Sequence, residues 1–586
     1  MLPDLELNLV GQSDDFVADT VEFNNWLTRQ LATREPIAID TETCGLDWWE
    51  PNFTRLVQFG SDRSGWALPV DWCRKLIDHA LSRIRDSLVP VVMHNATFDM
   101  HALESDGFTV PLWSRVQDTM ILHHLAQPLR SHALKNIAKH DFGRWAVTGQ
   151  DALKGVMAKN KWDWTTVPVD NPYYWGYGVC DTILTRMVYD KYVSHDWVDK
   201  DAYDREMAYL EVMYRVEQRG LRIDLDYCSS LSTEWETKLR SLYLCLKDAG
   251  ISNPHSNAEI EKAFKEMGWH PQLFTETGKA QLDKSVLDAI ANMPSHIATH
   301  ARQLIEFRRL SKWKSTYLDT FLSSVDGDGR VHPSIKTMGA RTGRSSITNP
   351  PLQTLPHTPH IRSAVIPNDG SKLYAVDYSG QEYRILASYS KDEAWLDEFT
   401  NGQADPHTMV SKMLGIKRDQ AKTFNFAMVY GAGPAKLAQG TGLTEHEVKL
   451  FLHTYKQRFP QINSFINNLQ SIGTSRLHEE GHAYVVTRGG RKVESFQDQM
   501  YALTNYLIQG SGADVLKEAV CRLDKAGLAD HILLPVHDEL LFDIPCQDSE
   551  ETVKEIVDIM TNDDWFKVPI VAEAEGPFNN WGDKYV

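Results

Sequence analysis

Arg418, Lys422, Phe426 and Tyr430 recur every four residues in RDQAKTFNFAMVYG. On an α-helix this spacing places them along one shallow spiral, cationic in its N-terminal half and aromatic in its C-terminal half. Such a helix can hold a polyphosphate where its dipole is positive and offer a flat ring to a base further on. The same spacing fits an amphipathic core helix with a solvated basic end, so the stripe needs company before it means anything. Acids supply it. Asp40 and Glu42 stand two apart at the end of an apolar run and therefore on one face of a strand. Asp99 closes HNATFD after a second such run, and Asp181 follows Tyr177 by four residues in YGVCD. Two acids at a buried strand end are costly without a cation. Four carboxylates and a tyrosine suit a pair of Mg²⁺ ions that activate water for phosphodiester hydrolysis. Asp377 in LYAVDYSG and Asp538 in LLPVHDELLF also end apolar runs. Converging from adjacent strands, they could hold two divalent ions for in-line phosphoryl transfer, although either alone reads first as a turn or capping residue.

The elements that must position these groups are visible in outline. Short β-rich runs at 36–42, 56–61, 65–70 and 89–93, with helical patterns at 116–126 and 176–193, describe an α/β domain over residues 1–200. Residues 201–330 read mainly helical. Mixed structure follows from about 331: strand-like LYAVDYS and LLPVHDELLFDI, separated by a long helical region at about 391–475 that holds the stripe helix at 417–431. A multi-domain α/β and α+β chain is expected, with no repeats and no flexible linker.

At 586 residues the chain exceeds one core, and 42% hydrophobic residues with 17 Trp mark it as globular. No apolar run is long enough to span a membrane, and MLPDLELNLV is neither a signal nor a transit peptide. Seven cysteines without a CxxC pair read as thiols of a reducing compartment, so a cytoplasmic location is expected. The net charge of −18 argues against nucleic acid for the molecule as a whole. A nucleic-acid footprint is local, however, and RQLIEFRRLSKWK (302–314) sets Arg302, Arg308, Arg309, Lys312 and Lys314 against Glu306 alone. This stretch is either a DNA-facing helix or a solvated one. Some of the acid surplus can be carboxylates kept for metals.

The N-terminal motifs Asp40-Thr-Glu42, Asn95-Ala-Thr-Phe98-Asp99 and Tyr177-Gly-Val-Cys-Asp181 resemble those of DEDD-type 3′–5′ exonucleases of the tyrosine subclass. That resemblance implies an RNase H-like sheet, two metals on Asp40, Glu42, Asp99 and Asp181, and Tyr177 orienting the attacking water. Further along, DYSGQEYR (377–384), the stripe running to Gly431, and His537-Asp538-Glu539 resemble motifs A, B and C of family A DNA polymerases, the polymerase I type. RTGR (341–344), LQTLP (352–356), DPHT around His407, QGSGAD (509–514) and KWKSTY (312–317) match in the same order. The resemblance implies a right-hand polymerase: thumb mainly at 201–330, palm at 331–390 and 496–586, fingers at 391–495.

By the same resemblance, Asp377 and Asp538 are metal ligands supported by Glu539. Arg418, Lys422 and His407 meet the incoming triphosphate, with Lys422 also able to protonate the pyrophosphate. Phe426 and Tyr430 lie by the base, and Glu382 excludes a ribose 2′-OH. Arg344, Gln353, Gln509, His537, Lys312 and Lys314 contact DNA. Two Mg²⁺ per active site are implied, with Mn²⁺ able to substitute, in a monomer acting on primer–template DNA, dNTPs and single-stranded 3′ ends. Ala427, Pro351, Thr354 and Tyr501 depart from the family pattern and leave fine contacts open. No 5′-nuclease domain is expected, which resembles phage replicative members. A single-subunit RNA polymerase shares this palm, but Glu382 and the exonuclease motifs argue against it. A DNA-binding scaffold with relic sites is the non-enzymatic alternative.

Overall fold

The computed structural model describes residues 5–13, 15–275, 277–401, 405–429, 433–561 and 564–586, with the backbone only at 428 and 429. Tyr430 and Gly431 of the stripe lie outside the described residues.

Six strands form the N-terminal sheet: β1 (Glu6–Leu9), β2 (Ile37–Thr43), β3 (Thr54–Gly60), β4 (Ser64–Pro69), β5 (Val91–Met93) and β6 (Val116–Asp118). Their order is β1-β4-β3-β2-β5-β6; β3 runs antiparallel to both its neighbours, and the remaining pairs are parallel. Ile37, Ala38 and Ile39 of β2 are almost wholly buried, as expected for a central strand covered on both faces. Helices α1 (Ala96–Ser105), α2 (Thr119–Ala126), α3 (Leu134–Asp141) and α4 (Pro172–Tyr192) complete the layer. The 116–126 segment differs from its helical pattern: its first three residues are β6. Asp118 ends that strand and caps α2, accepting hydrogen bonds from the amides of Met120 (2.7 Å) and Ile121 (3.3 Å).

Helix α5 (Lys200–Arg219) packs on both halves of the molecule. Its buried Glu206 pairs with Lys517 (2.8 Å) and with Arg491, which also binds Asp514 (2.7 Å). Trp48, in the β2–β3 connection, stacks on His101 at 4.1 Å, and His101 binds Glu217 of α5 at 2.8 Å. These contacts fix the N-terminal sheet to the rest of the chain. Further helices follow, among them α6 (Ile297–Trp313), and a π-helical turn continues α6 at Lys314–Leu318. A four-stranded antiparallel sheet comes next: β7 (Ser371–Tyr378), β8 (Ile532–Val536), β9 (Glu539–Pro545) and β10 (Ala572–Phe578), in the order β8-β9-β7-β10. Helix α7 (Gln381–Ser390) leaves β7 through Gly380, whose φ of 63° suits glycine at a sharp strand-to-helix turn. Helices α8 (Pro406–Leu414) and α9 (Arg418–Val429) pack together within the helical insertion, and α10 (Leu503–Lys525) lies against α5 and α7. No helix among the described residues is long and apolar enough to cross a membrane. All seven cysteines are free thiols.

Candidate active sites

In the N-terminal domain β2 supplies Asp40 and Glu42. The hydroxyl of Thr41, between them, donates to Asp99 at 2.8 Å. Asp99 lies in the first turn of α1, and Asn95 opens that helix in the left-handed conformation (φ 70°), which asparagine tolerates. Asp118 also accepts from the amide of Ala96 (2.7 Å), so one buried carboxylate ties the start of α1 to the start of α2. Tyr177 and Asp181 occupy successive turns of α4. That helix lies directly on the sheet because Gly178 faces Gln58 and Gly60 faces Thr182; a Cβ at either glycine would collide. The two segments are thereby brought to the acids of β2.

Lys135 of α3 was not singled out in the sequence. Its ammonium pairs with Asp181 and lies 4.2 Å from the centre of the Tyr177 ring. Burial pushes it down to about 8. Burial also pushes Asp40 up to about 7, with Lys135 opposing. Glu42 and Asp99 are driven well above the carboxylate range, by burial first and by Asp40 second. One lysine is too little cation for four acids, which is the condition under which such a site takes up metal. No three His, Cys, Asp or Glu side chains among the described residues converge closely enough to enclose an ion unaided. An open, all-oxygen donor set fits a hard divalent ion that keeps water and substrate oxygens in its shell.

The second set stands at one end of the antiparallel sheet. Asp377 on β7 lies in register with Glu539 on β9 and with Glu573 on β10. His537 and Asp538 form the two-residue turn between β8 and β9, and the amide of Tyr378 reaches the Asp538 carbonyl at 3.3 Å. His537 has a φ of 61°, a conformation costing about 1–2 kcal/mol for a residue with a Cβ. Burial pushes Asp377 up to about 6; Lys584 opposes this, while Glu539 and Asp538 add to it. Lys584 lies 2.5 Å from Glu539 and 3.3 Å from Glu575. Glu539 Oε1 is buried without a hydrogen-bond partner, an acceptor that suits a cation. Lys584 also escaped the sequence reading.

Around this end, Glu382 of α7 is 9% exposed and pairs with Arg344 at 2.8 Å. Arg344, Gln353 and His537 line one small cavity with Pro535 and Lys517, and the Gln353 amide donates to the Pro535 carbonyl at 3.3 Å. Gln509 is half-buried on α10. On α9, Arg418 is held by Asp405 (3.0 Å), and Lys422 is exposed. Phe426 meets Tyr383 edge-on at 5.3 Å. His407 is buried against Tyr383, and burial pushes it down to about 4. Its Nδ1 accepts from the Asn425 amide (3.1 Å), so the neutral ring carries its proton on Nε2 and can offer a phosphate a hydrogen bond but no charge. In the basic stretch at 302–314, Arg302 and Arg309 are exposed and Arg308 is half-buried, and each has a partner within the chain. Arg302 donates to the Ala291 carbonyl, Arg308 to those of Pro254 and Leu282, and Arg309 pairs with Glu306. Lys314 binds Asp319 at 2.8 Å, while Lys312 is exposed.

Residues 225–583 match the model of DNA polymerase family A, and residues 16–192 match that of a 3′–5′ exonuclease. The DNA polymerase of Mycobacterium phage D29 is 28% identical over 94% of this chain and 93% of its own length. That of Mycobacterium phage L5 is 29% identical over 99% of both chains. The POL domain of Pol1 from M. smegmatis, solved in complex with DNA primer–template and dNTP, shares the fold with a TM-score of 0.77 at 22% identity, covering 96% of this chain and 98% of its own. With a matched segment that holds the β7–β9 acids and the stripe helix, behind an N-terminal segment that holds the other four carboxylates, the chain belongs to DNA polymerase family A and carries a 3′–5′ exonuclease domain.

Proposed function

We propose that this polymerase extends a primer 3′-OH with dNTPs at the β7–β9 acids and excises mispaired 3′ ends at the β2 acids, as a phage replicative enzyme. The observation that carries the reading is the meeting of Asp377 with the β8–β9 turn, beside a buried Glu382 and an insertion that presents Arg418 and Lys422. Residues 1–200 form the exonuclease domain, 201–330 mainly the thumb, 331–390 and 496–586 the palm, and 391–495 the fingers. Both domain types use divalent metal ions. Here they are Mg²⁺, two per site, replaceable by Mn²⁺, held by Asp377 and Asp538 in the palm and by Asp40, Glu42, Asp99 and Asp181 in the exonuclease. When bound, they neutralise the charge that develops on the transferring phosphoryl group and lower the pKa of the attacking oxygen.

The chain's own groups do the rest. Arg418 and Lys422 bind the triphosphate, the Nε2–H of His407 adds a hydrogen bond, and Lys422 gives a proton to the leaving pyrophosphate. Phe426 packs on the sugar and base, with Tyr430 beside them, and Glu382 leaves no room for a 2′-OH. Arg344, Gln353, Gln509, His537, Lys312 and Lys314 hold the primer–template. In the exonuclease, Tyr177 orients the water that attacks the terminal phosphodiester. The enzyme is a monomer and works in the cytoplasm of a bacterial host. One assay tests the reading: a labelled mismatched primer, with and without dNTPs and Mg²⁺. Shortening without dNTPs and extension with them are expected, both requiring the metal; extension with rNTPs as efficient as with dNTPs would overturn it.

A further inference from the structure

Five carboxylates, Asp377, Asp538, Glu539, Glu573 and Glu575, share the end of the palm sheet. The only ion pairs they make among the described residues are with Lys584, which bridges Glu539 and Glu575. This lysine is not a loose surface cation. Its side chain is 12% exposed. The segment that carries it is clamped on both sides: Trp581 is fully buried, its amide donates to the Val365 carbonyl (3.0 Å), and Arg362 lies 4.1 Å from the Trp581 ring and 4.6 Å from that of Tyr585. Arg362 is itself buried and donates to the carbonyls of Pro356 and Leu355, both at 3.0 Å. The ammonium is therefore held in place before any ligand arrives, and it satisfies only one oxygen of Glu539; Oε1 stays buried and unpartnered.

We propose that Lys584 is a positioning residue that acts through Glu539. It fixes that carboxylate and serves as a built-in counter-ion, keeping the palm acids' affinity for divalent cations low until a nucleotide is bound. A fixed positive charge raises the cost of adding a doubly charged ion nearby, and the effect is strong where water is partly excluded. A triphosphate brings negative charge of its own and offsets that cost, so the metals arrive with the substrate. The inference rests on the reading that Asp377 and Asp538 hold the ions.

The test measures Mn²⁺ binding by electron paramagnetic resonance, on enzyme with primer–template and no nucleotide. The D40A/E42A background keeps the exonuclease acids from dominating the signal. Lys584→Met keeps the packing of the stem and removes the charge. The expected result is Mn²⁺ bound about tenfold more tightly, with kcat for dNTP addition lowered and KM for dNTP little changed; Lys584→Arg restores the weak Mn²⁺ binding and kcat. Unchanged or weaker Mn²⁺ binding in a Lys584→Met enzyme of normal melting temperature would overturn the proposal. If that variant melts early, Lys584→Gln keeps a hydrogen-bond donor without the charge and carries the same two outcomes. Asp377→Ala in the same background separates the two claims. If it leaves Mn²⁺ binding intact, the ligand reading fails; if it removes binding while Lys584→Met changes nothing, only the role of Lys584 fails.

Discussion

The exonuclease acids and the palm acids are the same residue types in different settings. In the N-terminal domain, Glu42, Asp99 and Asp181 are 8% exposed or less, and all four acids belong to one sheet-and-helix layer that two glycine contacts draw tight. In the palm, Asp377 and Asp538 are only half-buried at the end of a sheet, and Arg418 and Lys422, the cations proposed to meet the nucleotide, come from a separate helical insertion. Each cluster has one lysine, Lys135 or Lys584, against several carboxylates. Burial raises Asp40, Glu42 and Asp99 of the closed site further than it raises Asp377 of the half-open one. Burial fixes geometry at the cost of ionisation. A site that cleaves one phosphodiester at a chain end can be built closed. A site that must admit a duplex and close on a nucleotide leaves its acids partly wet and its cations on another element.

The sharpest way to break this comparison is to disable one cluster at a time. Asp377→Ala should reduce dNTP addition by several orders of magnitude and leave 3′ excision in place. Asp40→Ala with Glu42→Ala should do the reverse. Both rates come from single-turnover gels on one mismatched primer, and loss of both activities in either variant would mean the sites are not independent. Next in size, Glu382→Ala opens the sugar side of the palm and frees Arg344 from its ion pair. Ribonucleotide use, measured as kcat/KM against dNTP, should rise on the order of 10–100-fold; no change would detach Glu382 from the sugar.

A fourth variant asks whether the closed site carries the cost assigned to it. Between its ordinary value of 3.8 and about 7, folded Asp40 keeps a proton that the unfolded chain has released. Its contribution to stability therefore falls as pH rises through that window and is fully unfavourable above it. In chelator, Asp40→Asn should match the unaltered protein near pH 4 and melt about 2–5 °C higher at pH 8. Equal melting temperatures at pH 8 would show that burial costs this carboxylate little. The smallest effect belongs to the open side. Asp405→Ala leaves Arg418 unsupported, but that arginine is 54% exposed and the pair is screened, so KM for dNTP should rise less than about threefold. A tenfold rise would mean Arg418 is far more tightly positioned than its exposure suggests.

How much of this was legible in the sequence depends on range. Asp40, Glu42, Asp377 and Asp538 could be placed because each ends an apolar run, and the stripe because four-residue spacing reports a helix face directly. The strands Glu6–Leu9 and Val116–Asp118 are too short to show a period, although Asp118 before a helical run is an N-cap signal that could have divided 116–126. The two lysines had no signal at all: Lys135 meets Asp181 across 46 residues and Lys584 meets Glu539 across 45, and nothing local marks a lysine that will be buried beside acids. The run at 302–314 is legible as a basic cluster, but its partners are not. A cluster of arginines does not show that Arg302 and Arg308 will donate to backbone carbonyls of the fold.

The most direct measurement is anomalous diffraction from a crystal of the enzyme with primer–template, dNTP and Mn²⁺. Mn²⁺ peaks are expected among Asp377 and Asp538 and, separately, among Asp40, Glu42, Asp99 and Asp181. A crystal with the nucleotide bound but no Mn²⁺ beside Asp377 and Asp538 would contradict the reading of those two residues as metal ligands.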